Sequence, residues 1–178
     1  MSLRDLLRRN SGAILKRWVD LILETYPADT AAMMRKDTNQ FSNPVGATIS
    51  RETAVLFGEL CEGTQAERCS VSLDAILKIR SVQDFSPSQA VGFLFLLKKA
   101  IADTLKGDLH RGPVVGEWQK FQSRVDEMIL RAFDIYVDCR EKICEIRVNQ
   151  ARAERDMAFR MMERMGHSRG KGENDRSP

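Results

Sequence analysis

Few residues in this chain have the chemistry to act on a ligand. Only His110 and His167 supply imidazoles. His110 stands in the turn Leu109-His110-Arg111-Gly112-Pro113, with no second ligand at metal or haem spacing, and His167 lies near the C-terminus. The cysteines Cys61, Cys69, Cys139 and Cys144 contain no C-x-x-C pair. Cys139 and Cys144 are five apart, so on a helix they point about 140° away from each other and cannot close a disulfide or share a metal. Buried, reduced thiols are the expectation, with a symmetric disulfide across a dimer as the alternative at Cys139. No serine or cysteine can be matched with a base, and no carboxylates pair at a readable spacing. The run Gly166-His167-Ser168-Arg169-Gly170-Lys171-Gly172 has the wrong glycine spacing for a phosphate loop, and no strand precedes it. The chain carries no enzyme signature, and no catalytic residue, metal or cofactor is expected.

Two polar groups remain. Arg80, Gln83 and Asp84 cluster just before Ser86-Pro87. Arg80 and Asp84 are four apart and can pair on a helix, and Asp84 also suits the positive end of the helix that Pro87 opens. An interhelical polar brace is the preferred reading, and a small ligand site the alternative. The second group is the basic stretch from Arg140 to Lys171, with nine basic residues against five acidic ones. Arg147, Arg152, Arg155, Arg160 and Arg164 suit a nucleic acid or an anionic membrane. Interleaved acids and scarce aromatics favour a solvated coiled-coil face instead, with Asp156 pairing Arg160.

The elements that must position these residues are helices. Ser2-Leu3-Arg4-Asp5 is a capping box, and Asn10-Ser11-Gly12 kinks or restarts the helix it opens. Ile14, Leu15, Trp18, Leu21 and Ile22 then mark a buried face, which Tyr26-Pro27 ends. A short helix is expected over 30–35 and a loop over 36–42. Asn43-Pro44 caps the next helix, which ends near Gly63, and Gly46 in its first turn is read as a close helix crossing. A polar link over 64–72 leads to a short helix over 73–83. Ser86, Pro87 and Gln89 form a second capping box for a central helix to about Lys106, closed by Gly107. Its run Ala90 to Leu97 is the most apolar of the chain, and Gly92 is read as the seat of another close crossing.

From Val114 to Met165 there is no proline and Gly116 is the only glycine, so one very long helix, or two with a kink, is expected. Trp118, Phe121, Val125, Met128, Ala132, Ile135 and Cys139 alternate three and four apart. Ile143, Ile146, Gln150, Ala153, Met157 and Met161 continue the series after an extra four-residue step, as in a coiled coil with a stutter. At 1.5 Å per residue such a helix spans roughly 75 Å, so its second half must project and seek a partner. The reading is an all-α helical bundle over residues 1–140, a projecting coiled-coil-type helix over 141–165 and a disordered tail over 166–178.

Composition adds limits. The 178 residues are 43% apolar, enough for one sizeable core, and the formal charge is only +3, from 28 Lys and Arg against 25 Asp and Glu. General polyanion binding is not expected, and a nucleic acid is an unlikely partner. The N-terminus has no apolar signal region, and no run approaches the roughly 18 apolar residues of a membrane span, so the expected location is cytoplasmic.

The Tyr26-Pro27 helix end, the Phe41-Ser42-Asn43-Pro44-Val45-Gly46 helix start and the Ile79–Phe93 run, in that order, resemble the N-terminal domain of RsbRD, an RsbT co-antagonist of the bacterial stressosome. The resemblance covers roughly residues 3 to 140. It implies an α-helical sensory module similar to the non-haem, globin-like N-terminal domains of RsbR proteins, which are dimers whose last long helix leads to an output domain. Those proteins also carry a C-terminal STAS domain with phosphorylatable residues, and no such stretch follows the helix here, so a stand-alone module is implied. The expected function is a non-enzymatic stress-signalling module acting by protein contact and by homodimerisation through Cys139, Ile143, Ile146, Gln150, Ala153, Met157 and Met161. Its downstream signalling partner is not readable from the residues. The alternatives are a globin-like carrier of a small ligand or cofactor, haem included, and a basic-helix binder of nucleic acid or membrane.

Overall fold

A computed structural model describes residues 1–36, 41–63, 66–83 and 85–172, with the side chains of residues 66 and 165–172 outside the description. Among the described residues every regular element is helical, so the protein is all-α. The order is α1 (Leu3–Arg9), α2 (Ser11–Leu23), α3 (Ala28–Lys36), α4 (Pro44–Glu62), α5 (Ala66–Val82), α6 (Pro87–Val91), α7 (Phe93–Leu105), a 3-10 turn (Lys106–His110) and α8 (Val114–Gly172). The chain divides into two compact units, Met1–Cys139 and Arg140–Pro178.

Local chemistry sets most helix starts. The Ser2 hydroxyl accepts from the Asp5 amide while the Asp5 carboxylate accepts from the Ser2 amide, closing the first capping box. Those bonds to Ser2 hold the Asp5 carboxyl below its ordinary pKa. Ser86 and Gln89 close the second box in the same way. Asn43 caps α4 by accepting from the Gly46 amide, and Gly63 ends that helix in the left-handed region at φ 75°.

Several expectations need correction. Gly46 marks no helix crossing: a Cβ there would overlap the Asn43 side-chain amide, so the cap's own side chain fills the space. At Gly92 a Cβ would lie 2.8 Å from the Ser88 carbonyl, one turn back, and here the expected single central helix divides into α6 and α7. The central helix is closed by Lys106, at φ 41°, rather than by Gly107. The helix expected over 73–83 starts at Ala66, because the segment read as a polar link is helical too. The short third helix extends over Ala28–Lys36. Residues 37–40 of the expected loop lie outside the described residues. Helix α8 is helical to Gly172, whereas the sequence reading began a disordered tail at Gly166; the remainder of that tail, 173–178, lies outside the described residues.

In the first unit α2 packs on α7 and α4 on α5, around a core that includes Trp18, Ile49, Leu56, Leu73, Leu77, Phe93 and Phe121. Trp18 is fully buried, stacks on Phe93 and donates from its indole N–H to the Phe93 carbonyl at 2.7 Å, which satisfies the one polar atom it brings inside. Phe121, Val125, Met128, Ala132 and Cys139 are buried, with Ile135 and Trp118 packed at the margin, so the three-four series belongs to this core as far as Cys139. The amide of Leu3 donates to Glu117 and the Tyr136 hydroxyl to the Phe85 carbonyl, tying the start of α1 and the link between α5 and α6 to α8.

The described part of the second unit, as far as Gly172, is a single stretch of helix. From Glu141 to Arg164 no side chain is buried. Asp156 pairs with Arg155 at 2.8 Å rather than with Arg160, whose guanidinium donates instead to the Asp156 backbone carbonyl.

Candidate functional site

Leu73, Ile76, Leu77 and Arg80 share one face of α5, and all four are inside the core. Arg80 is 0% exposed, an unusual burial for a charged side chain. Its Nη1 donates to the Gln89 carbonyl at 2.9 Å and its Nη2 to the Thr25 hydroxyl at 3.1 Å. Thr25 is oriented for this by donating its own hydroxyl hydrogen to the Ile22 carbonyl at 2.6 Å. Three rings surround the charge, with centroids 4.7 Å away at Phe85 and 5.5 Å away at Tyr26 and Phe93. Tyr26 and Phe85 meet edge to face at 5.3 Å.

This arrangement joins the end of α2, the end of α5, and α6 and α7 around one cation. Cation–π contacts of this kind contribute on the order of 1 kcal/mol each. Removing a guanidinium from water costs several kcal/mol, about what the three rings return. No ion pair to Arg80 occurs among the described residues, and its Nε–H is buried without an acceptor. Burial pulls the Arg80 pKa below its ordinary value, and burial likewise raises that of Tyr26, with the Arg80 charge opposing the rise.

Of the expected polar cluster, the structure brings Arg80 and Gln83 to this place: Gln83 Oε1 accepts from the Tyr26 hydroxyl at 3.1 Å. Asp84, and with it the proposed Arg80–Asp84 pair, lies outside the described residues. The sequence reading gives Tyr26 a role as a helix end and places Phe93 in the apolar run, and it singles out neither Thr25 nor Phe85 as a companion of a charge. The missed signal was positional. Arg80 follows Leu73, Ile76 and Leu77 at i+7, i+4 and i+3, which places it on the buried face of α5.

The other expected residues separate into two settings. Cys139 is buried in the first unit. Ile143 is half-exposed, and Ile146, Gln150, Ala153, Met157 and Met161 are exposed on the second. Cys61 lines a cavity of about 340 Å³ with Leu7, Phe121 and Arg124, and burial pushes its thiol up to about 11, which keeps it protonated and unreactive near neutrality. A wider cleft of about 860 Å³ lies among α2, α3 and α4 and is lined by Lys16, Asp20, Met34, Arg35 and Arg51 among others. No histidine lines either space, and His110 is exposed in the 3-10 turn. Among the described residues no group of His, Cys, Asp and Glu is arranged to hold a metal ion.

Comparison with known proteins is consistent with the three quoted runs. Residues 12–151 match the family described as the RsbT co-antagonist protein rsbRD N-terminal domain. An uncharacterized protein of Archaeoglobus fulgidus is 23% identical over 150 residues, which covers 84% of this chain and 90% of that one. No solved structure matches. Tyr26 and the Ile79–Phe93 run, which supply the rings around Arg80, and the Asn43 cap of α4 all fall within the matched span, and the chain belongs to the RsbT co-antagonist rsbRD N-terminal domain family, whose members are stressosome-related regulatory domains.

Proposed function

We propose that the protein is a non-enzymatic regulatory module that forms a homodimer through the helix after Arg140 and passes its state to a signalling protein by direct contact. The observation that carries this reading is a stripe of uncovered apolar side chains. Ile146, Met157 and Met161 are 57%, 61% and 62% exposed. With Ile143, Gln150 and Ala153 they recur at three- and four-residue steps, the seam along which two helices interlock. An isolated helix gains little from propensity alone in water and depends on burying such a face. A second copy supplies an identical face, and symmetric pairing is the commonest way to cover one. Cys139 is buried in the first unit, so the seam offered to a partner starts at Ile143.

Phe159 and Met162 lie off that seam and are also exposed, and they give a further protein an adaptable apolar contact. The family description, a co-antagonist, supports a role exercised through other proteins. The interleaved charges of this helix, with Asp156 engaging Arg155, speak against a uniform basic track for nucleic acid. No described helix is long and apolar enough to cross a membrane, and the reading places the module in the cytoplasm.

Sedimentation equilibrium of the full chain tests this. The expected mass is twice the 20.2 kDa of one chain. The double substitution Ile146→Glu, Met157→Glu should reduce it to a single chain while the near-ultraviolet spectrum of Trp18 and Trp118 is unchanged. A wild-type chain that sediments as a monomer at tens of micromolar, or a variant that stays dimeric, would remove the proposal.

A further inference from the structure

We propose that two copies of the helix after Arg140 pair antiparallel, with Ile146 of one copy against Met157 of the other. The proposal rests on the homodimer reading and adds its orientation and register. Side-chain size points to it first. The seam Ile143, Ile146, Gln150, Ala153, Met157, Met161 is large and apolar at both ends, and polar or small in the middle. Steps of three and four from Ile143 make Ile143, Gln150 and Met157 one set of heptad core positions, and Ile146 and Ala153 the other. Parallel copies in register set each residue against itself, so Ala153 meets Ala153 and leaves a gap. Antiparallel copies set one kind of core position against the other. Ile146 then meets the partner's Met157, Gln150 meets the partner's Ala153, and Ile143 comes level with the partner's Met161. Large residues face each other, and the long Gln150 side chain occupies the room that Ala153 leaves.

Charge decides the orientation. Lys142, Asn149, Asp156 and Glu163 flank the seam on one side, and Arg147 and Glu154 on the other, all of them exposed. Charges at such flanking positions set how two helices pair. In a parallel pair the two flanks meet five residues apart, which places Lys142 against the partner's Arg147, like charges on both sides of the dimer. In an antiparallel pair each flank meets its own kind. Arg147 then faces the partner's Glu154 and Lys142 faces the partner's Glu163, and twofold symmetry makes each contact twice. Sliding this pair by one heptad sets Glu154 against the partner's Glu154 in one direction, and Arg147 against the partner's Arg147 in the other. The same charges therefore fix the register.

Sedimentation equilibrium of the full chain at low salt reads the sign. Arg147→Glu puts a carboxylate against the partner's Glu154, and should weaken association about three- to tenfold. In a parallel pair the same change relieves Lys142 and would tighten association. Adding Glu154→Arg should restore the wild-type value, because the two charges are only exchanged; a parallel pair offers no such rescue. A second measurement uses the wild-type chain. Zero-length carbodiimide cross-linking, mapped by mass spectrometry, should join Lys142 to Glu163. Those residues are about 30 Å apart along one helix at 1.5 Å per residue, so an antiparallel partner is needed to bring them into contact. A wild-type chain that sediments as a monomer removes the dimer reading and this one with it. A dimer that Arg147→Glu leaves unchanged or tightens, or that yields no Lys142–Glu163 link, overturns the orientation alone.

Discussion

The two stretches of α8 on either side of Cys139 carry a similar apolar rhythm and meet different surroundings. Before Cys139, Phe121, Val125, Met128 and Ala132 are buried among the other helices of the first unit. After it, Ile146, Met157 and Met161 keep the spacing and remain in solvent. Periodicity alone therefore says that a face wants to be covered, and the neighbourhood decides whether the same chain covers it. The arginines differ in the same way. Arg80 is enclosed by three rings, whereas Arg155 forms an exposed pair with Asp156, an interaction that typically contributes less than about 1 kcal/mol.

The comparison is sharpest in a matched pair of truncations. Phe121→Ala should destabilise the first unit by about 3–5 kcal/mol in urea unfolding, through lost burial and the cavity left behind. Ile146→Ala should leave that transition within about 0.5 kcal/mol, as an exposed site does, and weaken self-association instead. Equal losses from both would erase the distinction between the two stretches.

A smaller effect tests the cap of α4. Gly46→Ala should cost about 1 kcal/mol, since its methyl displaces an Asn43 side chain that accepts from the Gly46 amide and donates to the Met34 carbonyl. With Asn43→Ala already present the space is empty, and Gly46→Ala should turn neutral or favourable by a few tenths of a kcal/mol from helix propensity. Additive costs in thermal melts of the four chains would show that the cap side chain is not the obstacle.

A pH-dependent effect concerns Cys61. Its folded pKa of about 11 exceeds the ordinary thiol value of 9.0, so the unfolded chain gives up this proton first as pH rises. Stability from this group is complete below pH 9 and is lost as pH rises from there through about 11. Cys61→Ala should flatten that decline in urea midpoints measured across the window.

Much of the fold was legible because its signals are local. Ser2 with Asp5, Asn43 with Pro44, and Ser86 with Gln89 each announce a helix start through atoms within three residues of one another. Some local features were still missed. The polar segment before Leu73 is helical as the first turns of α5, and at Gly92, the junction between α6 and α7, a Cβ would lie 2.8 Å from the Ser88 carbonyl, so glycine fits there. The candidate site was half visible. Arg80 and Gln83 stood out as polar residues before a cap, but Thr25 and Tyr26 come from more than fifty residues earlier, and no spacing rule links them to Arg80.

What the sequence determined by itself was the helical class, the capped starts, the apolar periodicity and the family-specific runs around Tyr26, Asn43 and Ile79–Phe93, all of which follow from short-range backbone chemistry and side-chain pattern. Only the tertiary structure decided that the seam is satisfied as far as Cys139 and uncovered after Ile143, and that Arg80 is a cation buried among three rings. Both outcomes depend on which distant helices come together, because burial and charge compensation are properties of a three-dimensional neighbourhood.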